Sequence, residues 1–268
     1  MLSIVRSEWA KLRRCQILLV GVVALALCPL VQYGTQLVIE PAQRDPDFNM
    51  AKLFSAVVWG NTQIFLPISL VMIGGWLIDR ETNQDTMKNL VTVPLSMPAL
   101  LGGKLIVVAG LAGGFGLYSG AVTVAAGAVF GLPGMSLPAV LGGCGQIFAA
   151  ALTTCVVCLP LVLIFGQIPG AYLAGSIATF FGGYCILFFK SGVLLSAYPF
   201  SAALVLVGFD MASYNGALEA PNPLLSLAGF GATAALSVLL LALSGRQREL
   251  RAPRRKARRP ASRRMARR

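Results

Sequence analysis

From Leu105 to Phe189 the chain runs for 85 positions without one Asp, Glu, Lys, Arg or His. A water-soluble fold cannot be built on such a stretch, because its helices or strands each turn a face to solvent and need polar side chains there. Residues 15–39, 53–78 and 220–245 are likewise uncharged. Each is long enough for one helix across the hydrocarbon core, which takes roughly 20 residues. A charge at mid-membrane costs roughly 3 kcal/mol, so these gaps mark the segments that lie in lipid. Composition agrees: 56% of the side chains are apolar and the mean hydropathy is +0.76, more apolar surface than one soluble core of this length buries.

Two chain-reversal sequences divide the long gap. Gly131-Leu132-Pro133-Gly134 and Gln167-Ile168-Pro169-Gly170 combine proline, which fixes φ, with glycine, which reaches backbone conformations other residues avoid. The spacing predicts spans at about 17–39, 54–78, 105–130, 139–165, 171–189 and 224–244. A further apolar run, 191–209, carries Pro199 near its middle and is decided by parity. Arg6, Lys11, Arg13 and Arg14 precede the first span, and residues 246–268 hold twelve Lys or Arg against Glu249. The positive-inside rule places both ends in the cytoplasm, so the number of crossings is even. With six crossings the inner side holds 19 Lys or Arg against five acids, and the outer side holds Arg44, Lys52 and Lys190 against five acids. Residues 191–209 then form a re-entrant or interfacial hairpin broken at Pro199, which needs shelter from protein or water.

The expected fold class is therefore all-α. It is a polytopic membrane protein with six transmembrane helices in one domain over residues 1–245, a re-entrant segment before the last span, and a basic cytoplasmic tail at 246–268. Leu2, Val5, Trp9 and Leu12 recur at helical spacing, with Arg6, Arg13 and Arg14 largely elsewhere around the wheel, which predicts an N-terminal amphipathic helix at the interface. No small-x-small site follows Val31, where Gln32-Tyr33-Gly34 stands, so the first span is expected to stay uncleaved. Leu27 precedes Cys28 where a lipoprotein box needs a small residue. The tail has no apolar periodicity and is expected to be disordered. It lacks interleaved aromatics, so its charge addresses anionic lipid and no nucleic acid.

Enzymatic function has few groups to draw on. Histidine is absent and only ten carboxylates occur in the chain, so neither metal nor acid-base catalysis finds a constellation and no cofactor is expected. Cys155 and Cys158 form a CxxC inside an uncharged run with no second pair or histidine nearby, which reads as packing. Gly102-Gly103-Lys104 is followed by Leu105 where a phosphate loop needs Ser or Thr, so no ATP-binding motif is present. No carboxylate falls within a span, against ion-coupled carriage. Gly110, Gly113, Gly114, Gly116 and Gly120 read as close helix packing, including contact with a second copy.

One polar segment remains, residues 79–104, DRETNQDTMKNLVTVPLSMPALLGGK, read as a cytoplasmic docking element between the second and third spans. Asp79, Arg80 and Glu81 open it, Asp85 and Lys88 fall on a short predicted helix, Pro94 and Pro98 bracket Leu95-Ser96-Met97, and Lys104 leads into the third span. A Glu just after the second span, a Thr-x-Lys at Thr86 and Lys88, a Pro-x-Ser turn at Pro94 and Ser96, and Lys104 at the next span resemble the permeases of type-two ATP-binding-cassette (ABC) exporters. The opening Glu8-Trp9-x-Lys11-Leu12-Arg13-Arg14 is similar to that family's start, and the likeness covers the six-span layout. Met97-Pro98 stands where the family usually has a basic residue after the turn.

The resemblance implies a permease subunit of an ABC exporter in the bacterial cytoplasmic membrane, working with a separate ATPase subunit and a second permease copy, identical or not. It implies that residues 1–14 and 79–104 contact the ATPase, with Glu8, Trp9, Lys11, Asp79, Arg80, Glu81, Thr86, Lys88, Pro94 and Lys104 as coupling residues. The compact form without a large outer domain is similar to the lantibiotic immunity and peptide-antibiotic export branch, and implies an amphipathic or hydrophobic substrate. The alternative is a membrane assembly or regulatory subunit, whose function would not depend on residues 79–104.

Overall fold

A computed structural model describes residues 2–12, 15–40, 44–83 and 97–251. Among them every regular element is helical, and no strand occurs. In chain order these are α1 (Leu2–Leu12), α2 (Leu18–Val38), α3 (Met50–Gly60), a π-helical turn (Asn61–Phe65), α4 (Leu66–Asn83), α5 (Met97–Val129), α6 (Leu137–Gly166), α7 (Tyr172–Tyr184) with a 3-10 turn (Cys185–Phe188), α8 (Gly192–Ala197), α9 (Pro199–Leu206), α10 (Ala212–Asn215) and α11 (Pro223–Arg251). Among the described residues five helical stretches are long and apolar enough to cross a membrane: 18–38, 50–80, 97–129, 137–166 and 223–244. Tyr172–Phe188 is a shorter apolar helix.

Helix starts follow side-chain chemistry. Asn49 caps α3 by accepting from the Lys52 amide at 3.1 Å, and Asn222 accepts from the Leu224 amide at 3.0 Å as α11 begins. Such caps satisfy amides that have no partner inside the helix. Pro138, Pro199 and Pro223 stand in the first turns of α6, α9 and α11, where a missing N–H costs nothing. The α5–α6 reversal uses Gly131 and Gly134 at φ +64° and +84°, and the α6–α7 reversal uses Gly170 at φ +73°.

The stretch from α3 through α4 is the axis of the bundle. Of its most apolar window 78% is buried, against 22% for α2 and 11% for α11. Helices α5, α6 and α7 pack around α4, and one core gathers Phe54, Val57, Val71, Cys158, Val162 and Leu163. The exposed faces of α2 and α11 are apolar: Leu224, Leu227, Val238 and Leu239 are each more than half exposed. Such faces are stable against lipid, not water, and the chain is a polytopic membrane protein.

The π turn has a local cause. Pro67 has no N–H to give to the Gln63 carbonyl, and its ring crowds that oxygen. The helix widens there, so that Leu66 N–H reaches Asn61 O, five residues back, as in other single-turn π bulges. Helix α7 comes against the displaced strand of backbone at Gly183, where an added Cβ would lie 2.0 Å from Gln63 O. Residues 191–209 form two short helices, α8 and α9, broken at Tyr198–Pro199 and packed on α11 and α6.

The described residues at both edges of 79–104 are helical. Helix α4 continues through Asn83, and α5 begins at Met97 with Pro98 as its second residue. Proline is tolerated at a helix start, so Pro98 opens a helix there and does not close a turn.

Candidate functional site

The expected coupling residues can be followed from α1 inward. Leu12 is buried and Trp9 is 41% exposed, as an interfacial amphipathic helix requires. Glu8, expected on a contact surface, is only 3% exposed. Its carboxylate meets Lys11 Nζ at 2.6 Å and Lys104 Nζ at 3.5 Å. Lys104 lies in the second turn of α5, is 1% exposed, and also donates to the Leu77 carbonyl near the end of α4. An ammonium group buried this deeply needs such partners, since desolvation of an unpaired charge costs several kcal/mol.

Asp79, 5% exposed, ties the other flank. Its Oδ1 accepts from the Gly170 amide at 3.0 Å, joining α4 to the α6–α7 reversal. Arg80 Nη1 donates to Cys15 Sγ at 3.4 Å, and the guanidinium lies 5.3 Å from the Trp76 ring centroid, within cation–π reach. Glu81 falls in the last turn of α4. Thr86, Lys88 and Pro94 lie outside the described residues.

The structure thus brings Glu8, Lys11 and Lys104 together and sets Asp79 and Arg80 beside them, one helical end joining α1, α4, α5 and the α6–α7 turn. Three of these groups are interior struts. Trp9 and Lys11 remain exposed. What the sequence left unread is the Glu8–Lys104 pairing. The available signal was that a lysine leading into an apolar helix needs a carboxylate, and Glu8 is one of the few acids on the same side of the membrane.

At the opposite end, α2 and α3 meet the residues after α9. Met50 N donates to Pro133 O at 3.0 Å, and the Tyr33 and Phe130 rings stack at 4.0 Å. A cavity of about 610 Å³ opens there, lined among others by Gln32, Asp45, Lys52, Gln146, Asp210 and Tyr214. The hydrogen bond from Lys52 to Asp45 holds that carboxyl below the usual carboxylate range. Burial, and then the charge of Asp45, push the Tyr214 hydroxyl up to about 12. Among the described residues no group of three His, Cys, Asp or Glu converges as a metal site would require.

The sequence finds no match among curated proteins. A family model described as ABC-2 family transporter protein matches residues 4–186, from α1 through the turn after α7. That match spans the interfacial helix, the central axis and the charged junction just described, and the chain belongs to the ABC-2 transporter family, as a multi-pass membrane permease subunit that works with an ABC ATPase subunit.

Proposed function

We infer that this permease exports an amphipathic or hydrophobic molecule, a peptide antibiotic or drug, across the bacterial cytoplasmic membrane, paired with a second permease copy and with both chain ends in the cytoplasm. The observation that supports this reading is the junction of Glu8, Lys104 and Asp79. A push on α1 or on the end of α4 reaches α5 and the α6–α7 turn through buried ionic and hydrogen-bonded contacts, which transmit displacement because they are costly to break. ATP-driven closure of the ATPase, felt at Trp9, Lys11 and the segment after Arg80, then moves spans together. The basic tail anchors the last span at anionic lipid.

The test is copurification and transport with the partner ATPase. Glu81→Lys reverses charge where α4 leaves the bundle, and Trp9→Ala removes the exposed aromatic of α1. Both variants are expected to insert normally, to retain little ATPase through purification and to lose export. Undiminished copurification together with full transport would rule out the coupling surface at this end of the molecule.

A further inference from the structure

The cavity at the end opposite the charged junction has the composition of a binding site. Its walls come from α2 (Gln32, Gln36), the segment around α3 (Asp45, Phe48, Lys52, Ser55), Gln146 of α6 and the stretch after α9 (Phe209, Asp210, Tyr214). Two carboxylates and one ammonium group face it. Lys52 is engaged by Asp45. Asp210 accepts from the Ala212 amide at 3.0 Å and the Ser213 hydroxyl at 3.4 Å and has no ion pair among the described residues. The cavity therefore carries one net negative charge, held by neutral donors.

Its second property is aromatic. Phe209 and Tyr214 are 5.3 Å apart, and Trp59 backs both at 5.9 and 5.4 Å. This three-ring cluster, in which Trp59 stacks on Phe209 and Tyr214 is tilted against both, packs the Phe209 and Tyr214 side chains of the wall beside Asp210. Gln146 spends its amide N–H on the Val207 carbonyl at 3.3 Å, leaving its amide oxygen as an acceptor. A carboxylate, aromatic rings and amide side chains lining one cavity without a competing free cation are the groups that recognise an alkylated ammonium ion, which is attracted to aromatic rings and carries too little hydration to prefer water.

We propose that this cavity binds an ammonium-bearing organic cation, with Asp210 as its counter-charge and the Phe209 and Tyr214 rings as its wall. Its volume of about 610 Å³ admits a head group of several carbons. The proposal goes beyond coupling and export, because equilibrium binding to the isolated permease needs neither ATP nor a partner subunit.

The probe is tetraethylammonium, titrated calorimetrically into the full chain in lipid nanodiscs at low ionic strength, where a single exposed counter-charge is least screened. Saturable binding is expected. Asp210→Asn keeps the acceptor for the Ala212 amide and so the loop, and is expected to weaken binding about tenfold, the size of one close charge contact at partial exposure. Lys52→Met frees Asp45 as a second counter-charge and is expected to tighten binding several-fold. Absence of saturable binding, binding indifferent to Asp210→Asn, or binding weakened by Lys52→Met would each overturn the assignment, the last because a carboxylate freed in the cavity wall must attract a cation held there.

Discussion

The two ends of the bundle handle charge in opposite ways. Around α1, α4 and α5, Glu8, Asp79 and Lys104 are all at most 5% exposed. Around α2, α3 and the stretch after α9, Lys52 is 42% exposed, Asp45 35%, and Asp210 is open to solvent. A buried ion pair contributes little net stability compared with an apolar replacement, yet removing one partner strands the other. An exposed pair costs little to make or break and leaves its groups free for another ligand. The first end is therefore built to stay connected, and the second is built to be wetted.

The sharpest way to break that contrast is Lys104→Met. It strands Glu8 with only Lys11 and releases the Leu77 carbonyl, and one broken buried pair typically costs about 3–5 kcal/mol. A large fall in thermal stability is expected, with α1 becoming accessible to proteolysis. The double variant Glu8→Met with Lys104→Met removes both charges and is expected to recover most of the loss. If the single variant melts with the parent chain, the junction is not a strut.

Backbone approach gives the next effect. An added Cβ at Gly183 would lie 2.0 Å from Gln63 O, and one at Gly229 would lie 2.2 Å from Ala197 O. Backbone atoms cannot swing aside, so Gly183→Ala and Gly229→Ala are each expected to destabilise by about 1–3 kcal/mol. Gly231, two residues along the same helix, has nothing within 4 Å of that position. Gly231→Ala is expected to be neutral or to stabilise by up to about 1 kcal/mol, since alanine is the better helix former. Equal losses at Gly229 and Gly231 would contradict the packing of α11 against α8.

A smaller effect concerns the polar groups at mid-bundle. Asn61 Oδ1, Thr62 Oγ1, Gln63 Nε2 and Thr154 Oγ1 are buried without hydrogen-bond partners among the described residues. Replacing an unsatisfied hydroxyl by a methyl group of similar shape removes a desolvation cost. Thr154→Val is expected to raise the melting temperature slightly, and a clear fall would show that this hydroxyl has a partner.

Much of the fold was legible because lipid imposes a simple rule. The charge-free runs carry the apolar helices, the Gly131–Gly134 and Gln167–Gly170 sequences are the reversals, and the chain breaks at Pro199. What stayed unread lies at the two edges of 79–104, where the described residues are helical. Asp79 and Lys104 were read as the polar edges of the second and third spans, and a carboxylate that accepts from a turn amide and a lysine that meets a distant glutamate can both be drawn inside the helix bundle. Both depend on partners remote in sequence, Gly170 and Glu8, that no local pattern reveals. The π turn left a faint local sign, Asn61-Thr62-Gln63 four residues before Pro67 in an otherwise apolar run. The cavity was illegible, since Gln32, Asp45, Gln146 and Asp210 come from four separate segments.

The exposed end supplies the smallest expected effect. Hydrogen bonding to Lys52 lowers the folded-state pKa of Asp45. A depressed carboxyl stabilises the fold above its unfolded pKa and loses that contribution as pH falls through the folded value, so any loss would come on acidification below the ordinary carboxylate range. Asp45 is open to solvent, where attraction to Lys52 is screened and the side-chain ordering offsets it. Lys52→Met is therefore expected to leave the melting temperature unchanged within error at neutral pH, in water-exposed contrast to Lys104→Met. The same substitution is expected to tighten tetraethylammonium binding. A lysine whose loss alters ligand affinity but not stability belongs to a site, whereas one whose loss alters stability belongs to the frame.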